Sequence, residues 1–528
     1  MVALVTVGTV GSEGADKLFS VYFDPEGYQW SVQEGNGGVA SAYYIIQQNQ
    51  TGWNTLHLET DGTYSDELQS YGAGFLEGCL TREEIWNSWL VFQAKANFNS
   101  SVTDFILNQD KWVRSMALSA PEGYWHQVLL VLYQLDGLLD GYAMHSPQER
   151  QISYTQLLYM VLSPELKDIR TFVNMRALEA SGGAIIEEPE APPGPPLGFH
   201  CSVLIKASSD GLNLLSAHDT WSHFSTMLRI YKYYTFSFND PSTQVRKMAF
   251  SSYPANIQST DDYYVLDNQL VVSETTNEVF NKSLFLEFMS EMSVPEWIRV
   301  IVANRMADSG ESWVEVFSKF NSGTYNNQWQ VVDYKLFEPG RPIRPGTLWI
   351  AEQIPGQVFS ADKSDFLANG GFWPSYNIPY FPANYNISGY PTLYLKYGNK
   401  YSYQNSSRAQ IFRRDAGKVQ NMEDMKRIMR YNQFQTDPLS LQDACKSIAA
   451  RCDLNAPWME DAFYFAEGAI DCKIVDVSLV KELKSWVVAG PTWDSQPPFA
   501  WTNQWKNIPS YGMPRVYAFQ FELTQPRF

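Results

Sequence analysis

An α+β fold, antiparallel sheets layered with helices, is what this sequence predicts. Three observations lead there. Short β-rich runs give way to helical patterns twice along the 528 residues. The strand-like runs are bounded by Gly, Asn and Asp. A hydrophobic content of 45%, with 15% aromatic residues, supplies a large core.

The first strand is expected at "ALVTV", residues 3–7, because "MVALVTVGTVGSEGADK" lacks both the basic start and the apolar length of a signal peptide. "LFSVYFD" (18–24), "VASAYYIIQ" (39–47) and "NTLHLET" (54–60) continue the series. Apolar residues then recur at helical spacing through 65–96 and 121–145, with Ser65 or Asp66 placed to cap the first pattern. Residues 181–200, "SGGAIIEEPEAPPGPPLGFH", hold five prolines, three glutamates and four glycines, too many breakers for a packed element. That tract is a linker, a proteolytic site, or both, and need not be a domain border. It divides the chain into 1–180, 181–200 and 201–528.

Strands are expected again at "CSVLIKA" (201–207), 213–221, 231–238, 247–254 and 262–276. A helical block follows at 283–292, 295–306 and 312–320, then strands at 328–337 and 347–355. From about residue 416 the tail mixes a helix at 421–434 with aromatic loops. No internal repeat occurs.

Charge narrows the partners. A formal charge of −18 and a pI near 4.8 argue against nucleic-acid recognition, which wants a basic face, and weaken attraction to anionic membranes. Such acidity serves solubility or residence in an acidic compartment. No run approaches the roughly 20 apolar residues of a bilayer span, so no transmembrane segment is expected. Five sequons, at Asn49, Asn99, Asn281, Asn386 and Asn405, tilt the reading toward secretion and glycosylation. Five cysteines leave at least one unpaired within the chain; Cys445 and Cys452 either close a small disulfide loop or stay as buried thiols.

The common hydrolase designs are missing. The sequence contains no G-x-S-x-G, H-E-x-x-H, C-x-x-C or G-x-G-x-x-G, and its six histidines are scattered singly. No metal and no cofactor are expected.

What remains is the segment "HCSVLIKASSDGLNLLSAHDTW". Its Asp-Gly pair signals a hairpin. Centring the turn on Ser209–Asp210 places Cys201 opposite His218; centring it on Asp210–Gly211 places Cys201 opposite Thr220. Either register puts His218 and Thr220 on the Cys201 face, since strand side chains alternate. Cleavage after His200 would make Cys201 a new N-terminus. Its α-amine, ordinarily about 7.7–8.0 in pKa, could then serve as base for its own thiol.

That segment, with "SETT", "WIRVIVANRMADSGESWVEVFSKFNSGTYNNQW", "SYNIPYF", "NISGY", "FRRDAGKVQNMEDMKRIMRYNQFQTDP" and "GPTWDSQPPF", resembles the phospholipase B-like family over nearly the whole chain. The resemblance implies lysosomal glycoproteins made through the secretory pathway behind a signal peptide. It implies an N-terminal nucleophile hydrolase fold, a four-layer αββα sandwich, in which autocatalytic cleavage exposes a cysteine and both fragments stay associated. By position that cysteine is Cys201. His218 and Trp221, with Asp219 adjacent, match the active-site segment; Thr276, or Thr275, matches through "SETT". Asn377 matches an oxyanion-type asparagine, and Arg408 an active-site arginine expected to hold the thiol pKa down, here preceded by Ser instead of Pro. The implied activity is removal of fatty acyl chains from phospholipids through a Cys201 thioester. The alternatives are an amidase for N-acylated lipids or peptides, and a lipid-binding glycoprotein with little turnover.

Overall fold

The computed structural model describes residues 17–182, 200–458 and 463–527. The strand expected at 3–7 and all of 183–199 lie outside these residues. In chain order, β1 (Leu18–Asp24), β2 (Gln29–Glu34), β3 (Ala40–Ile45) and β4 (Asn54–Thr60) precede the long helices. β5 (His200–Ala207) and β6 (Leu214–His223) form a hairpin. β7 (Ile230–Thr235), β8 (Lys247–Ser252), β9 (Tyr263–Leu266) and β10 (Leu270–Thr276) follow. After three helices come β11 (Asn327–Asp333), β12 (Leu348–Ile354), β13 (Gln357–Asp362) and β14 (Phe372–Ser375). The tail adds β15 (Glu467–Ala469), β16 (Asp471–Asp476), β17 (Trp486–Ala489), β18 (Phe499–Ala500), β19 (Val516–Tyr517) and β20 (Glu522–Leu523).

The protein is α+β, as expected. Its large sheet has 11 strands in the order β13-β12-β11-β10-β9-β8-β7-β4-β3-β1-β2. A 7-stranded small sheet runs β14-β5-β6-β16-β17-β20, with β15 also pairing β6. Pairing is antiparallel except at β4–β7, where Asn54 to Glu59 run parallel to Ile230 to Thr235. That join places strands from before residue 181 and strands from after residue 200 in one sheet. A parallel neighbour needs a long return path, here the helices and the β5–β6 hairpin.

Alternation along the strands sorts the core. Val203 and Ile205 of β5 pack with Tyr231, Val265, Val271 and Val332 of the large sheet, filling the space between the sheets. Leu204 points the other way, toward Ile411, Phe412, Met425 and Met429 of the helices Ser407–Asp415 and Met422–Met429. Across the large sheet, Leu56, Phe250, Val272 and Trp329 pack with Leu76, Leu130, Trp297 and Ile301 of the helices. Because β5 is buried on both faces, it reads as an apolar run instead of an alternating one.

Three expectations need correction. The pattern over 65–96 breaks at Thr81 into the helices Asp66–Leu80 and Arg82–Gln93; Ser65, not Asp66, is the cap, accepting from the Leu68 N–H at 3.4 Å. The helix begun at Ser283 ends at Phe288. The tail is not merely a helix and aromatic loops: β16, central in the small sheet, lies within it. Its "DCKIVD" hides two charges inside a buried strand, which masks the strand signal.

The helices Asp66–Leu80 and Tyr124–His145 touch backbone to backbone. A Cβ on Gly74 would stand 1.9 Å from the Gln134 carbonyl oxygen, and one on Gly78 2.0 Å from that of Leu138. Gly137 and Gly141 meet the Tyr71 and Phe75 carbonyls in the same way. Only glycine permits this approach.

A buried charge network crosses between the sheets. Arg229, just before β7, binds Asp261 and, at 2.6 Å, Asp471 of β16. Lys473 binds Asp471 at 2.7 Å and the Thr220 hydroxyl of β6 at 2.6 Å. Burial opposes the charge on Asp471, but Lys473 and Arg229 outweigh it and hold the carboxyl at about 2. Its folded pKa lies below the unfolded value of about 3.9, so this stabilisation is complete above that pH and is lost as pH falls through about 2.

Two outcomes follow. Gly78→Ala, which forces the two helices apart, lowers stability by about 3 kcal/mol and the melting temperature with it; an unchanged calorimetric trace would contradict the contact. Asp471→Asn costs about 3–5 kcal/mol in denaturant titration at pH 5, because Arg229 and Lys473 lose their shared counter-ion. The same variant loses much of the wild type's fall in stability between pH 4 and 2.

Candidate active site

The β5–β6 hairpin sets the site. Its register places Cys201 opposite Thr220 and Val203 opposite His218, the arrangement centred on Asp210–Gly211. The connection is tied by Ser208, whose hydroxyl donates to Asp210 Oδ1 at 2.6 Å, and turns at Gly211 with φ of 69°. Beside β5 runs β14, with Ser375 opposite Val203, so the next residues, Tyr376 and Asn377, arrive at Cys201.

Three atoms of Cys201 have separate partners. Its N–H donates to Asn377 Oδ1 at 3.2 Å. Its carbonyl oxygen accepts from Arg408 Nη1 at 2.6 Å. Its thiol lies 3.5 Å from Glu274 Oε1 of β10, in the other sheet. The sulfur, an imidazole nitrogen of His218 and a Glu274 carboxylate oxygen all lie within 4.8 Å of one another.

Asn377 adopts φ of 67°, a left-handed conformation that asparagine tolerates better than most residues. Its amide orientation follows from its neighbours. Cys201 N and Arg408 Nη2 are donors, so the oxygen faces them, and Nδ2 donates to the Thr276 carbonyl at 2.7 Å. The side-chain oxygen, not the N–H, therefore faces Cys201.

Arg408 opens the helix Ser407–Asp415 and lies over the Trp221 ring, 4.2 Å from its centroid. It also donates to the Tyr376 carbonyl at 2.8 Å and the Ser202 hydroxyl at 3.2 Å. Trp221 is anchored by its indole N–H, 3.1 Å from the Ile448 carbonyl. Arg408 thus grips the backbone around Cys201, not its sulfur. The thiol is pushed well above its ordinary value, by burial first and then by the charge of Glu274.

His218 is buried and its pKa falls well below the ordinary value, through burial and then the charge of Lys473. The neutral ring places Nε2 3.1 Å from the Glu274 backbone carbonyl, which requires the proton there. Nδ1 is left with no hydrogen-bond partner among the described residues. Thr276 joins the site through its carbonyl and through a hydroxyl 3.4 Å from Glu274 Oε2. Thr275 instead meets the Ser375 hydroxyl at 2.6 Å. Asp219 is not brought to the sulfur: opposite Ser202, it faces the other side of the sheet, near Cys472 and Arg430. His200 pairs with Trp221 at the strand end.

Sequence reasoning missed Glu274, Tyr325, Lys473 and Asp471. A signal for the first existed: a glutamate inside the apolar run "LVVSETT" is a buried charge in search of a partner. Tyr325, whose hydroxyl is 3.3 Å from Glu274 Oε1, arrives from a turn with φ of 48° that composition does not mark.

Next to this cluster lies a cavity of about 360 Å³. Val91, Phe92, Met160, Leu166, Leu228 and Met513 line it beside the charged Lys95, Lys167 and Glu278, and Thr276 and Tyr325, both partners of Glu274, also face it. Cys201 itself is fully buried and does not line the cavity; it is linked to those two residues through Glu274. Elsewhere Cys445 and Cys452 are joined as a disulfide, while Cys79 and Cys472 are buried free thiols.

Comparison with known proteins agrees with the residues. A family model described as Phospholipase B matches residues 40–524. Phospholipase B-like protein B of Dictyostelium discoideum is 40% identical over 516 residues, covering 95% of this chain and 88% of that protein. Putative phospholipase B-like 2 of Homo sapiens is 37% identical, over 96% of this chain and 89% of its own. Human phospholipase B-like 1 is also 37% identical, over 94% and 88%. With identity of this order along almost its full length, the chain belongs to the phospholipase B family.

Proposed function

We propose that this protein is a lysosomal acyl hydrolase, self-activated by cleavage before Cys201, that removes fatty acyl chains from phospholipids through a Cys201 thioester. One observation carries the reading: the nitrogen, carbonyl oxygen and sulfur of Cys201 are each held by a different side chain, and the sulfur's partner Glu274 bonds Thr276 and Tyr325 of a neighbouring cavity. A purely structural cysteine needs no such grip. The sequence of cores, helices against the large sheet, sheet against sheet, and small sheet against helices, supports the four-layer αββα arrangement of N-terminal nucleophile hydrolases.

In this reading cleavage turns the Cys201 nitrogen into an amine resting on Asn377 Oδ1, while the two fragments stay joined by sheet pairing. The acyl chain occupies the cavity with its ester carbonyl at the Thr276–Tyr325 end. Attack by sulfur forms a thioester and releases the lysolipid alcohol; water then frees the fatty acid and restores the thiol. Asn377 steadies the freed amine through Oδ1 while Thr276 holds its Nδ2, so the oxyanion role expected of its N–H would need the amide to turn. Arg408 and Trp221 hold the strand end still, and Asp219 takes no part.

Complete burial of the sulfur favours a second reading, a lipid-binding protein with little turnover. Cys201→Ala separates the two. The first reading expects no cleavage before residue 201 by mass spectrometry and no fatty acid released from phosphatidylcholine vesicles, with slow processing in Cys201→Ser. Wild-type release by Cys201→Ala would overturn it. Matched ester and amide substrates then rank lipase against amidase activity.

Passage through the secretory pathway fits the disulfide and the sequons. Asn49, Asn99, Asn386 and Asn405 are exposed, whereas half-buried Asn281 donates its amide to the Ile387 carbonyl at 3.1 Å. Glycopeptide mapping is expected to find glycan on the first four and little on Asn281; full occupancy there would show that this hydrogen bond yields.

A further inference from the structure

The self-cleavage proposed above lacks a base. Before the bond breaks, the Cys201 nitrogen belongs to an amide and cannot take a proton. His218 donates its one N–H to the Glu274 carbonyl, and its free Nδ1 makes no hydrogen bond to the sulfur among the described residues; Arg408 has no lone pair to offer. Asn377 is an amide. Among the described residues, the proton acceptor in direct contact with the thiol is the Glu274 carboxyl, 3.5 Å from the sulfur.

We propose that Glu274 is the catalytic base of self-cleavage: its carboxylate removes the Cys201 thiol proton as the sulfur attacks the carbonyl carbon of His200. The step balances within the chain. The S–C bond forms, the C–N bond between His200 and Cys201 breaks, and the proton on Glu274 passes to the departing nitrogen, giving a free amine and a thioester. Water then adds to the thioester carbonyl, giving one proton through Glu274 back to the sulfur and leaving a carboxylic acid on His200. The inference rests on the Cys201 reading, which it extends from the nucleophile to its activation.

The surroundings of Glu274 suit the task. Oε1 also meets the Tyr325 hydroxyl at 3.3 Å, and Oε2 the Thr276 hydroxyl at 3.4 Å, so every direct side-chain partner can donate to a carboxylate. Among the described residues no cation touches it. The charged and titratable groups facing it are Asp262 from the segment before β9, Glu296 at the start of the helix Glu296–Met306, Tyr325, and Cys201 itself. Neutral His218 bonds its backbone, and Lys473 with Asp261 lie beyond the sulfur. Burial first, and Asp262 next, push the Glu274 carboxyl well above the ordinary carboxylate range. A carboxyl so raised stays protonated in acid, and the carboxylate that acts as base forms as pH rises.

The experiment follows processing of the full-length chain by mass spectrometry between pH 4.5 and 7.5, in the wild type, Glu274→Gln, Glu274→Ala and Cys201→Ala. Glu274→Gln is expected to slow scission by about 100-fold or more, and added formate to restore part of the rate in Glu274→Ala only. Wild-type scission should rise with pH through one inflection that Glu274→Gln lacks. Should the Glu274 variants fail to fold, Tyr325→Phe serves instead: losing a donor raises the carboxyl pKa, so the inflection moves to higher pH. Scission at the wild-type rate and pH profile in Glu274→Gln, or an unmoved inflection in Tyr325→Phe, overturns the base and leaves Cys201 standing. Scission in Cys201→Ala, or none in the wild type, overturns the nucleophile itself.

Discussion

The two sheets are held in one relative position by the charges on Arg229, Asp261, Asp471 and Lys473. All four are buried, and none could stay charged alone in a dry interior. Apolar contact between sheets is tolerant of sliding. Directed ion pairs are not, because each carboxylate must keep its hydrogen-bond geometry. The network also reaches the reacting centre: Asp471 accepts the Thr220 N–H at 3.0 Å while Lys473 takes the Thr220 hydroxyl, and Thr220 stands opposite Cys201. The distance from a thiol on one sheet to a carboxyl on the other is therefore fixed by charges some way behind both.

That geometry has a cost in reactivity. Burial that positions the sulfur also disfavours its thiolate. A cysteine activated by a nearby cation would be shifted the other way, and here the cation, Arg408, is spent on backbone carbonyls and on Asn377. If Cys201 attacks as proposed, activation would come from proton transfer at the moment of attack instead of from a standing thiolate, which gives the contact between Cys201 and Glu274 its weight.

How much of this was legible in the sequence depends on whether a residue's role is local. The hairpin was, because Asp210–Gly211 and two-residue alternation fix which side chains share a face. "LFSVYFD" and "NTLHLET" match β1 and β4 residue for residue, since β-branched and aromatic residues there meet no competing pattern. For Cys445 and Cys452, nearness in sequence allowed a bridge or two buried thiols equally, and the structure has the bridge. The tail strand β16 escaped because Asp471 and Lys473 spoil its apolar pattern, and their partners Arg229 and Thr220 are 242 and 253 residues away. Glu274 escaped for the same reason. Asn377 came only through likeness to a family; the three contacts that orient its amide come from three distant segments.

The parallel join between β4 and β7 bears on how such a molecule must be made. Strands from either side of residues 183–199 are neighbours in the middle of an eleven-stranded sheet, not at its rim. Severing the chain in that interval would free two ends without freeing two bodies, since parting them means tearing a continuous sheet along its midline. Nor could halves synthesised apart easily find each other, because each would carry a long naked strand edge prone to sticking elsewhere. The scissors have to wait for the cloth: one polypeptide folds whole, and any cut comes afterwards.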